Sequence, residues 1–115
     1  MSKGRVLIVE DNMDTYELVR FILEKNGYDT FLAMNGRDGV NAANKQKPDL
    51  IIMDLQMPEM DGWTATRLIK ENRTTSSIPL IALTAHALPG DRQRAFESGC
   101  DDYITKPMDL IELVE

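Results

Sequence analysis

The chain has 115 residues, enough for one domain and too few for two ordinary ones. Apolar residues make up 43% and charged residues 28%, a globular composition, and the net charge of −6 argues against binding a nucleic-acid phosphate backbone. The single cysteine, Cys100, excludes an internal disulfide and fits a reducing compartment, where it reads as a small core residue rather than a reactive thiol. The apolar runs are too short to span a bilayer and the N-terminus has no secretory h-region, so a cytoplasmic protein is expected.

Val6 to Val9 forms the first apolar run and ends in Glu10-Asp11. Asn12 or Asp14 can cap a helix from Met13 to about Asn26, with Leu18, Phe21 and Ile22 as its apolar face and Gly27 as its stop. Tyr28 to Ala33 is a shorter, mixed strand suited to a sheet edge. Asn35-Gly36 leads into a weakly amphipathic helix holding Val40, Ala42 and Ala43, which Lys47-Pro48-Asp49 ends. Leu50 to Met53 is a strand buried on both faces, and Asp54 stands where it emerges. Residues 55 to 62 form a Pro- and Gly-marked loop, and Asp61 caps a helix from Gly62 to about Glu71 with Ala65, Leu68 and Ile69 inward. Ile78 to Leu83 is a third apolar strand, ending in Thr84. A helix opened by Pro89 or Gly90 stops near Gly99; Ala95 and Phe96 are its only apolar side chains, so it is weakly anchored. Asp102 to Thr105 is a last short strand, followed by Lys106-Pro107 and a brief helix from Asp109 to Val114.

This alternation predicts a doubly wound α/β domain of five parallel strands over residues 1–115, with the three apolar strands central and the mixed ones at the edges. The C-terminal ends of parallel strands share one rim, where open α/β sheets place their sites. If the first and third strands are neighbours, Glu10, Asp11 and Asp54 converge. Three carboxylates in one cleft repel one another, and a divalent cation with the ammonium of Lys106 would balance them. Hard oxygen donors with no His or Cys cluster favour Mg²⁺ over Zn²⁺. Such parts suit phosphoryl transfer, in which a carboxylate attacks phosphorus while a cation, an ammonium and the Thr84 hydroxyl neutralise charge.

Four segments strengthen this reading: Leu7-Ile8-Val9-Glu10-Asp11-Asn12, Asp54 through Gly62, Leu83-Thr84-Ala85, and Tyr103-Ile104-Thr105-Lys106-Pro107. In order and spacing the chain resembles a response-regulator receiver domain of two-component signalling over nearly its whole length. The resemblance implies a flavodoxin-like (βα)5 sheet in the order 2-1-3-4-5, with Asp54 as phosphoacceptor. Glu10, Asp11, Asp54 and the backbone carbonyl of Gln56 would hold Mg²⁺, and Thr84 and Lys106 would bind the phosphoryl group. It further implies Tyr103 as a switch aromatic working with Thr84, and Gln56 and His86 as residues that tune phosphoryl lifetime. The expected partners are a histidine kinase or histidine phosphotransfer domain, and a downstream protein on the face of the last two helices and last strand. Nucleic acid and membrane are not expected partners. The Met1 start favours a stand-alone receiver over a piece of a hybrid kinase or larger regulator, and the short final helix departs from the family. A Mg²⁺-dependent phosphatase with an Asp nucleophile is the main rival, but Gln56 stands where it would need a second acid. A flavin carrier suits the acidic cleft poorly, and a degenerate adaptor would not need the full site.

Overall fold

The computed structural model describes residues 3–55, 60–84 and 90–105. Its elements, in chain order, are β1 (Arg5–Val9), α1 (Met13–Lys25), β2 (Asp29–Ala33), α2 (Gly36–Gln46), β3 (Leu50–Asp54), α3 (Gly62–Glu71), β4 (Leu80–Thr84), α4 (Asp91–Glu97) and β5 (Asp102–Thr105). The five strands are parallel in the order β2-β1-β3-β4-β5. The two mixed strands are the edges, as their composition predicts. The final helix expected at Asp109–Val114 lies outside the described residues.

Strand alternation divides the core in two. Leu7, Val9, Ile51, Met53, Leu80 and Ala82 pack with Ala43 of α2, Ala65 and Ile69 of α3, and Ala95 of α4. Val6, Ile8, Ile52 and Leu83 point the other way and pack with Val19 and Leu23 of α1. Because both faces are covered, the central strands are apolar throughout rather than alternating.

Three helices begin on side-chain caps. Asn12 accepts from Thr15 N at 3.0 Å, Asn35 from Asp38 N at 2.8 Å and Asp61 from Thr64 N at 2.8 Å. Helix α4 has no such cap bond; Gly90 precedes it with φ +89°. Strand β4 starts two residues later than expected, because Pro79 supplies a carbonyl to Ile51 N but has no N–H for a ladder.

Two helix faces differ from the sequence expectation. Leu18 is 43% exposed and Phe21 63% exposed, while Val19 and Leu23 are buried and Ile22 partly so. Both Leu18-Phe21-Ile22 and Val19-Ile22-Leu23 have the spacing of an apolar stripe. With each residue turning the helix by about 100°, only one stripe can meet the sheet. In α3 the inward stripe is Gly62, Ala65, Thr66 and Ile69, and Leu68 is exposed.

At the far rim, the Lys70 ammonium ties three elements together. It donates to the Ile78 carbonyl at 2.7 Å, the Ser76 carbonyl at 3.2 Å and Asp101 Oδ2 at 2.7 Å. The same Asp101 oxygen accepts from Leu80 N at 2.8 Å. Next to this knot Cys100 is buried. Burial, reinforced by the Asp101 and Asp102 carboxylates, pushes its thiol up from 9.0 to about 11. The unfolded chain therefore ionises this thiol first, so the stability it carries is intact below pH 9 and is lost as the pH rises toward 11. Urea midpoints at neutral and strongly alkaline pH are expected to separate more in the wild type than in Cys100→Ala. Iodoacetamide at neutral pH is expected to label Cys100 only after unfolding.

Candidate functional site

The strand order reverses between β1 and β3: the chain leaves β1 toward β2 on one side, and β3 and β4 build the other. The crevice of an open α/β sheet lies at such a point, beyond the C-terminal strand ends. The β1–β3 register ends with Val9 beside Met53. One residue further come Glu10 and Asp54, which are therefore neighbours by register. Asp11 follows at the surface.

Carboxylate oxygens of Glu10, Asp11 and Asp54 lie within 4.8 Å of one another. Glu10 is 1% exposed and Asp54 3%, while Asp11 faces solvent. Glu10 is held from two sides: its N–H donates to the Ala33 carbonyl at 2.9 Å and its Oε2 accepts from Asn12 N at 3.1 Å. Asn12 thus caps α1 with its side chain and steadies an acid with its backbone. Of the two candidate caps, Asn12 and Asp14, the structure uses Asn12, and its bond to Glu10, two residues back, is equally local.

On the other side of Asp54, its register partner on β4 is Leu83, and the Leu83 carbonyl accepts from Leu55 N at 3.0 Å. Thr84, one residue on, is fully buried at the end of β4. Thr84 is in turn in register with Thr105 on β5, the residue before Lys106. Tyr103 sits two residues earlier on that edge strand, half-buried, and packs, as Met60 and Trp63 do, against the buried cluster of Met53, Leu55 and Ala82. Gln56, His86 and Lys106 lie outside the described residues.

The donor set fits a hard divalent cation: three carboxylates in reach of one atom, two of them withdrawn from water, with one open toward solvent. Among the described residues no cysteine or histidine joins them. A groove on the outer side of α1, lined by Glu17, Arg20, Phe21 and Glu24, includes none of these acids. Its charges pair locally, Arg20 with Glu24 at 3.2 Å and with Glu17 at 3.3 Å.

A doubly wound sheet with acids at its switch point and a hydroxyl on the next strand defines a phosphoryl-signalling class of domain. The chain belongs to the response regulator receiver domain family, whose pattern it matches over residues 6–115. It is 40% identical over 110 residues to the polar-differentiation response regulator DivK of Brucella anthropi, a match covering 96% of this chain and 89% of that protein. Among solved structures, it superposes with a TM-score of 0.88 on the receiver domain of the sensor histidine kinase PA1611 of Pseudomonas aeruginosa, at 38% identity over 96% of this chain and 90% of the other. That structure has a magnesium ion coordinated in its active-site cleft. A receiver domain of a signal transduction histidine kinase from Syntrophus aciditrophicus gives a TM-score of 0.83 at 40% identity, covering 97% and 92% of the two chains.

Gly62 lets the start of α3 pack closely against the end of β3. Its N–H donates to the Leu55 carbonyl at 3.0 Å. A Cβ here would collide with the Asp54 carbonyl oxygen and stand 2.5 Å from Leu55 Cα, both of them backbone atoms that cannot swing aside. Gly62→Ala is expected to cost about 1–3 kcal/mol in urea denaturation, the usual penalty of overpacking.

Proposed function

We propose that Asp54 is the phosphoacceptor of this receiver domain and that the site works with Mg²⁺. The observation that carries the reading is the convergence of Glu10, Asp11 and Asp54 within 4.8 Å at the switch point of the sheet, with Thr84 buried at the end of the next strand. Glu10, Asp11, Asp54 and the carbonyl of Gln56 would hold the ion, which when bound supplies charge neutralisation for the incoming phosphoryl group.

An Asp54 carboxylate oxygen attacks phosphorus in line with the leaving group. When the donor is a phosphohistidine, an O–P bond forms as the N–P bond breaks, and the electron pair stays on the imidazole nitrogen. The Thr84 hydroxyl donates to a phosphoryl oxygen and the Lys106 ammonium pairs with another. Asp54 starts in a cavity already lined with negative charge, so this neutralisation is what makes transfer possible at neutral pH. The chain acts on its own phosphorylation and dephosphorylation only.

The phosphoryl group brings roughly −1.5 to −2 charge units to the rim. Drawing Thr84 toward it opens space beside β4 for the half-buried Tyr103 ring, and the surface of α4 and β5 changes with it. A histidine kinase or histidine phosphotransfer domain is the donor, and a protein that reads the α4–β5 face is the output, in the cytoplasm. We read residues 1–115 as one receiver domain.

Acetyl phosphate with Mg²⁺ is expected to add one phosphoryl group, seen by intact-mass spectrometry. The adduct should vanish in Asp54→Asn and with excess EDTA; an adduct that persists in Asp54→Asn would overturn the assignment. Replacing both Gln56 and His86 is expected to change the decay rate of the adduct while leaving its formation intact. An unchanged decay rate in the double variant would remove their tuning role.

A further inference from the structure

Helix α4 is built as a lever. Its C-terminal side is pinned: Asp101 N donates to the Leu80 carbonyl at 2.8 Å, and the Asp101 carboxylate holds the Lys70 ammonium at 2.7 Å. Gly99 turns the chain there with φ +109°. Among the described residues, the opposite end has no side-chain cap bond and a Cβ on Gly90 would meet nothing within 4 Å. Between them Ala95 is buried, whereas Gln93, Arg94, Phe96 and Glu97 are exposed. Across the gap to α3, the Arg94 guanidinium lies over the Trp63 ring, 3.8 Å from its centroid.

The α3 surface near this stack is polar and unfinished. The Trp63 indole N–H and the Thr66 hydroxyl are buried with no hydrogen-bond partner among the described residues. Three positions apart, they lie on neighbouring parts of one helix face. Buried polar groups left unmatched are costly, so a seating of α4 that admits water to them gains what the present seating forgoes. Trp63 is also joined to the site. It follows Gly62, which is bonded to the Leu55 carbonyl, and it packs on the same core cluster as Met60 and Tyr103.

We propose that the Arg94–Trp63 stack is a latch that holds α4 in its resting seat, and that loading the Asp54 site releases it. This inference rests on the phosphoacceptor reading, since repositioning of Tyr103 is what would loosen the packing around Trp63. A cation on the solvent side of a partly buried indole biases a two-state equilibrium by roughly two- to five-fold. That is enough to favour one seat and little enough for a new charge at the rim to reverse it.

Trp63 is the only tryptophan in the chain, so its fluorescence reports on this one position, and the Arg94→Ala variant separates release of the latch from any direct effect of loading the site. Acrylamide quenching of Trp63 is measured in the wild type and Arg94→Ala, before and after Mg²⁺ with beryllofluoride, a phosphoryl mimic. Adduct formation from acetyl phosphate is followed in parallel by mass. In the wild type, quenching is expected to rise on loading. With a bias of that size, Arg94→Ala should start between the two wild-type levels and rise less on loading. By linkage, it should bind beryllofluoride roughly two- to five-fold more tightly. Arg94 is exposed, so the variant is expected to keep its fold, checked by circular dichroism, and amide exchange in α4 gives a second measure of release. If the acetyl phosphate adduct forms while Trp63 quenching and α4 exchange stay unchanged, the latch is overturned and the phosphoacceptor reading stands. An equal rise on loading in Arg94→Ala, with unaltered beryllofluoride affinity, also overturns the latch. Absence of any adduct in the wild type overturns both.

Discussion

The structure depends on one juxtaposition: β1 and β3 run parallel and in register, so that their last residues deliver Glu10 and Asp54 side by side and out of water. Carboxylates brought this close in a poorly solvated place repel, and with the solvent-facing Asp11 they make a donor set that fits a divalent cation. The flanking residues make this tolerable. Val6 to Val9 and Ile51 to Met53 are buried without exception, and their packing on both sheet faces fixes the strands against the repulsion at their ends.

From that fixed centre the chain grades outward in rigidity. Helices α1, α2 and α3 each begin on an Asn or Asp cap, and the α3 cap is followed at once by Gly62 pressed against the β3 backbone. Helix α4 has seven residues and, among the described residues, no side-chain cap bond. A domain that converts a local charge change into an altered surface needs both properties: an unyielding place where the charge arrives and an element held by little free energy. Their separation here is physical, since the well-packed elements carry the acids and the sparsely packed one lies beyond Thr84 and β4.

The strands, the caps at Asn12 and Asp61 and the kinship with receiver domains were all readable from the chain, because each depends on residues adjacent in sequence or on a run with one period. Which side of α1 faces the sheet was not. Leu18 and Phe21 have the same spacing as the buried stripe and greater bulk, yet they stand in solvent, as does Leu68 on α3. Periodicity defines that a helix has an apolar face but leaves its rotation about its own axis open when two stripes compete. The order of the strands allows the choice to be made, because α1 must cover Val6, Ile8 and Ile52 while joining β1 to β2.

Sequence by itself determined which residues would stand at strand ends: an apolar run terminating in a carboxylate or a hydroxyl is a local fact, and it placed Glu10, Asp11, Asp54 and Thr84 on one rim once the strands were taken as parallel. Tertiary structure decided what touches across the fold. The Lys70–Asp101 knot and the Arg94 guanidinium over Trp63 join groups whose meeting no spacing encodes. Such contacts arise from how helices are seated on the sheet, which is set by the summed packing of the whole core rather than by any segment of the chain.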